Sequence, residues 1–134
     1  RMTVVHDEDL DDVQLADHAE QSDMTLEEAR NDWDMARLLS RAQLTKDPAI
    51  RRAALAEAAA RGSASGSYDY GRLVSADGDP VAGYAWHLLA AAQGYVEAQR
   101  AVRNADQSLS AAQRAEGQAI ALARWTEATG VSPA

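Results

Sequence analysis

At 134 residues, with 46% hydrophobic residues but only 5% aromatic, no Phe and no Cys, the chain has the size of one domain with a core of Ala and Leu. The lack of Cys excludes disulfide staples, thiolate zinc sites and a Cys nucleophile. The net charge of −8 disfavours nucleic acid as a partner, and no run of 18 apolar residues is present to cross a membrane.

The charge is uneven. Residues 1–34 hold twelve of the 21 acidic residues against Arg1 and Arg30, a balance of −10, whereas residues 35–134 hold eleven basic and nine acidic residues, a balance of +2. This asymmetry predicts an acidic arm or interaction segment beside a near-neutral body. Small side chains let helix axes approach closely, whereas sheets favour β-branched and aromatic residues, so the expected class is all-α. If Arg1 is a remnant before a native start at Met2, the acidic residues that follow do not suit a secretory signal and a cytoplasmic chain is expected; if the chain was trimmed, that expectation lapses.

In chain order, residues 1–24 form the acidic extension; Leu10, Val13 and Leu15 suit one amphipathic helix, and the composition equally suits disorder. Thr25-Leu26-Glu27-Glu28 is a capping box that opens a helix to about Arg41, with Trp33, Ala36, Leu38 and Leu39 as apolar positions. Asp47-Pro48 and Asp79-Pro80 each start a helix with an acceptor for the first turn and a Pro that has no N–H to leave unpaired. Both helices end fifteen residues after the Asp, on Gly62 and Gly94, where glycine can take the left-handed conformation. Between them a shorter helix over about 65–76 carries Tyr70 and Val74, with Gly71 placed for close approach of a neighbouring backbone. Val96 to about Ala105 and a last helix from the capping box Ser110-Ala111-Ala112-Gln113 through Trp125 complete the domain over 25–130, followed by a tail at 131–134.

The Asp-Pro…Gly pattern repeats at an offset of 32 residues. A period in the thirties predicts a short α-solenoid of about three antiparallel helical hairpins, 25–41 with 47–61, 65–76 with 79–93 and 96–105 with 110–127, the last helix serving as a cap.

At Tyr70-Gly71, Val74, Asp79, Trp86-His87 and Ala90-Ala91-x-Gln93-Gly94 the chain resembles the Sel-one-like repeat (SLR) family, relatives of the tetratricopeptide repeats. The match is strongest over 65–99; the first hairpin keeps Asp47, Ala58, Ala59 and Gly62 but has Arg51 where Ala is usual. Gly83 also departs from the pattern, at an expected cost of roughly 1 kcal/mol in helix propensity. The resemblance makes Gly62, Gly71, Asp79, Trp86 and Gly94 structural repeat positions. It implies a non-enzymatic adaptor that binds a protein or peptide on its helical surface, in bacteria often in signalling, secretion or host contact.

The chemistry-bearing residues agree with binding rather than catalysis. Asp7, Asp9 and Asp11 alternate as in a calcium loop, but the sixth position is Asp12 where Gly makes the turn, and the twelfth is His18 where a bidentate Glu belongs. No metal site or cofactor is expected, and Gly62-Ser-Ala-Ser-Gly66 lacks the Gly-Lys-Ser/Thr of a phosphate loop. Trp86 is expected in the core. Tyr84, His87 and Tyr68 are the expected partner-binding residues of the helical body, Trp and Tyr being favoured interface anchors. Asp9, Asp11 and Asp12 are the candidates in the acidic segment, which would dock on Arg51, Arg52, Arg61, Arg100 and Arg103 of the body or engage a basic partner. The alternative function is therefore an acidic neutraliser that masks a basic effector. Self-association is a further expectation for so few repeats.

Overall fold

A computed structural model describes residues 25–130, which form six α-helices and, among the described residues, no strand. In chain order these are α1 (Leu26–Leu44), α2 (Pro48–Ala60), α3 (Ala64–Ala76), α4 (Pro80–Ala92), α5 (Val96–Ser108) and α6 (Ala111–Thr129). The all-helical expectation holds. The described residues fall into two compact units that divide after Arg37.

In the first unit the capping box closes at the start of α1. The Glu28 carboxylate accepts from the Thr25 N–H at 2.9 Å, and the Thr25 hydroxyl accepts from the Glu28 N–H at 3.1 Å. The backbone and side-chain bonds from Thr25 favour the charged carboxylate and hold Glu28 below its ordinary value. Asp34 and Arg37 pair at 2.7 Å along the same helix.

In the second unit the regularity is finer than 32 residues. Helices α2 to α5 are each 13 residues long, and their N-caps, Asp47, Ser63, Asp79 and Tyr95, stand 16 apart. Asp47, Ser63 and Asp79 accept backbone N–H groups of the first turn at 2.9, 2.9 and 3.1 Å. Between the helices, Gly62, Gly78 and Gly94 take φ of +96°, +98° and +86°. Each glycine N–H and the N–H after it close onto carbonyls of the preceding turn, as Gly78 does to Ser75 and Asp79 to Val74, the paired bonds of a Schellman turn. Gly78 thus makes the same turn as the two glycines that mark the 32-residue offset.

The two remaining turns have no glycine, and an arginine takes over. Arg51 donates to the carbonyls of Ala42 and Thr45 at 3.1 and 2.7 Å, and Arg114 donates to those of Asp106 and Leu109 at 3.1 and 2.6 Å. Each is the fourth residue of its helix, α2 or α6, and satisfies the orphan carbonyls at the end of the helix before it. Support of this kind explains why α1 and α5 each run three residues past the ends expected from sequence, Arg41 and Ala105.

Packing centres on α4, against which α3, α5 and α6 all lie, while α2 packs on α3. The expected pairing of 96–105 with 110–127 differs in the structure, where α6 makes its main contact with α4 rather than with α5. Its cause is a knob and a hole: Tyr84 of α4 fills the space left by Gly117 of α6, where a Cβ would stand 2.5 Å from the Tyr84 ring. The α3–α4 crossing is closer still. A Cβ on Gly71 would lie 2.7 Å from the His87 ring, and one on Gly83 would overlap Ser75 Oγ and lie 2.7 Å from the Gly71 carbonyl oxygen. Gly71 therefore does what its sequence position suggested, and Gly83 supplies the other half of the crossing. Among the described residues two apolar clusters form: Ala42, Ala54 and Leu55 with Tyr70 and Leu73, then Ala59, Val74 and Trp86 with Tyr70, Ala82 and Leu89.

Candidate functional site

The aromatic residues of α3 and α4 sort onto two sides. On one, the Tyr68 ring meets both His87 and Tyr95, tilted against each at centroid distances of 5.3 and 5.4 Å, with Arg72 over the Tyr68 ring at 5.8 Å. His87 Nε2 lies 3.2 Å from the Tyr68 carbonyl oxygen, and the ring is 8% exposed. Tyr84 is 2% exposed; its hydroxyl donates to Asp106 Oδ1 of α5 at 2.9 Å and accepts from Gln118 Nε2 of α6 at 3.5 Å. Tyr84 and His87, expected to contact a partner, are thus packed inside this unit, and only Tyr68 of the three is half-buried and reaches solvent. The physical reason is local: Gly83 to His87 are five consecutive buried residues, more than a full turn, so α4 has no open side along this stretch.

Burial lowers the His87 pKa from its ordinary value of 6.5; the bond from Tyr68 pulls the other way and the Arg72 charge adds to the fall. Because the folded state resists the proton, the stability His87 contributes is present above about pH 6.5 and is lost as pH falls through the lowered folded value. Asp69, beside Arg72, is raised by burial from 3.8, so its contribution has the opposite sign and belongs to a more acidic range. The expected result is a melting temperature that falls from pH 8 to below pH 6, and a shallower fall in His87→Gln. Equal slopes for both proteins would remove His87 as the cause.

The other side of α4 carries Trp86, itself buried but lining the cavities beside it. Trp86 is 6% exposed, packs in the core with Ala59 and Val74 as expected, and meets Tyr70 edge-on at 5.5 Å and 75°. Over its ring at 4.3 Å lies the Arg124 guanidinium of α6, a cation–π contact. Two cavities of about 530 and 430 Å³ share Ala60, Trp86 and Arg124, and form one groove along α2, α4 and α6. A third space of about 220 Å³, lined by Leu88, Leu89, Ala121, Leu122 and Trp125, shares Leu89 and Trp125 with the first and extends the groove as an apolar annex. Leu122 is 48% exposed there.

The arginines expected to receive the acidic segment have differing environments. Arg51 is held on backbone carbonyls, Arg52 pairs with Asp77 and lies over Tyr70, and Arg61 pairs with Glu57 at 3.4 Å. Arg100 and Arg103 are exposed on α5. Asp9, Asp11, Asp12 and His18 lie outside the described residues. Among the described residues no group of three His, Asp or Glu is placed to hold a metal ion, and no helix is long and apolar enough to cross a membrane.

Arg124, Trp125 and Arg52 had no signal in the sequence that marked them as groove residues. Arg124 stands 38 residues beyond Trp86, and the packing of α6 on α4 brings the two together. No family model, curated protein or solved structure matches the chain.

Proposed function

We propose that the chain is a non-enzymatic protein–protein interaction module, an adaptor or regulatory partner, which holds a peptide segment of another protein in the groove along α2, α4 and α6. The observation that carries this reading is the groove itself: a buried Trp floor, an Arg over it, and a leucine-lined annex with Trp125 at the junction. Trp and Arg are the residue types most enriched among energetically dominant interface positions. The SLR resemblance over 65–99 supports the same reading, and with it a short solenoid arrangement of the helices.

The charge asymmetry favours a second reading, in which residues 1–24, with eight acidic residues and one basic, mask a basic effector. Capture from a lysate of the source cells separates the two. A partner held by the parent chain and lost with Ala60→Trp, which fills the junction of both cavities, supports the groove. A partner indifferent to Ala60→Trp but lost with Asp9→Asn/Asp11→Asn/Asp12→Asn overturns the groove in favour of the acidic segment. Circular dichroism on each variant checks that the helices persist.

A further inference from the structure

We infer that the groove selects an acidic peptide, with Arg124 receiving a partner's Asp or Glu carboxylate above Trp86 while the annex takes a neighbouring leucine-like side chain. This rests on the groove being the binding surface.

Three arginines and three carboxylates line the two larger cavities of the groove, and they differ in what holds them. Arg52 is neutralised by Asp77, and Arg61 by Glu57. Asp79 is occupied as the N-cap of α4, where it accepts from the Ala82 N–H and the helix N-terminus favours its charge. Arg124 differs from these. Among the described residues no carboxylate lies within ion-pair distance of it, and its neighbour is the Trp86 face. It lines both cavities, whereas Glu127, one turn further along α6, lines only the first. Arg124 is therefore the arginine of the groove that has no carboxylate partner among the described residues.

The cation–π contact leaves the Arg124 charge open to an anion. The indole face does not occupy the guanidinium's N–H donors as a carboxylate would, and their fork matches a carboxylate in two parallel hydrogen bonds. The annex adds the second requirement. Leu88, Leu122 and Trp125 offer an apolar wall with almost no polar group, which suits an aliphatic side chain and gives no partner to a charged one. An acidic residue close to a leucine is the chemistry that satisfies both parts at once.

The test is fluorescence anisotropy on the full chain at physiological ionic strength, with three labelled peptides of repeated Leu-Glu-Glu, Leu-Gln-Gln or Leu-Lys-Lys units. The expected result is that the Glu peptide binds about tenfold tighter than the Gln peptide, the scale of one charge-assisted pair. Arg124→Gln is expected to erase that preference, while Arg103→Gln, an exposed arginine on α5, leaves it unchanged. Equal affinity for the Glu and Gln peptides, both blocked by Ala60→Trp, would overturn the acidic selectivity and leave the groove standing. A preference for the Lys peptide that survives Arg124→Gln and disappears in the Asp9/Asp11/Asp12 to Asn variant would overturn it in favour of the acidic segment. No binding by any of the three would count against both the selectivity and the groove.

Discussion

Tyr84→Ala is expected to be the most damaging single substitution in this chain, lowering unfolding free energy by about 3–5 kcal/mol in urea titration, the usual cost of removing a buried aromatic side chain. Three losses combine in it. The ring is 2% exposed and fills the Gly117 hole, and its hydroxyl joins α4 to Asp106 of α5 and Gln118 of α6. Tyr84→Phe keeps the knob and loses only the hydroxyl, so its cost is expected at about 1 kcal/mol. The two variants separate packing from hydrogen bonding, and hydrogen exchange locates the damage. Amides of α6 are expected to lose more protection than those of α2, because α6 has its main seat on α4 through this contact. A loss for Tyr84→Ala under 1 kcal/mol, or one spread evenly over all helices, would contradict the knob-and-hole account. The groove depends on the same contact, since α6 carries Arg124 and Trp125 to the Trp86 side.

Gly83→Ala is expected to destabilise the protein by about 1–3 kcal/mol although it exchanges a poor helix former for the best one. Helix propensity alone predicts a gain of roughly 1 kcal/mol, so the sign of the change decides between propensity and packing. Packing should prevail because the added methyl group meets both a side chain, Ser75 Oγ, and a backbone atom, the Gly71 carbonyl oxygen at 2.7 Å. A hydroxyl can rotate away; a carbonyl in a helix cannot move without carrying the helix. Combining Gly83→Ala with Ser75→Ala is therefore expected to restore only part of the loss. Full recovery in the double variant would show that Ser75 alone sets the α3–α4 distance, and a rise in melting temperature for Gly83→Ala would show that the two helices have room to spare.

The helices were legible because their ends are written locally. Thr25, Asp47, Asp79 and Ser110 each carry an acceptor within three residues of the N–H it caps, and Gly62 and Gly94 stand where the chain must turn left-handed. Gly78 was equally local but hidden, since the spacing of 32 between the other two glycines masks the spacing of 16 that includes it. What each helix faces was harder to read. On α4 the burial extends around the whole helix from Gly83 to His87, so periodicity gave no means of telling an outward Tyr or His from an inward one. Arg51, an apparent departure from a repeat pattern, is explained only when the end of α1 lies beside it. Arg124 belongs to the same class, because a contact between residues 86 and 124 depends on which helix α6 chooses to cover, and Ala-rich surfaces advertise that choice weakly.

The 16-residue step of the caps and turns bears on how such a chain can lengthen or shorten. Four successive helices of 13 residues, joined by three turns of the same geometry, make each helix and its turn an interchangeable segment of backbone. Loss or duplication of one segment reverses the direction in which every later helix runs and carries the wrong face inward. Two segments together preserve both direction and face, so the smallest tolerated change in length is 32 residues. Growth through this architecture is thereby quantised: a descendant with a longer groove would be reached by copying Ser63 to Gly94 as a block, with the Gly71–Gly83 crossing inside it and a Schellman glycine at its end ready to receive the next.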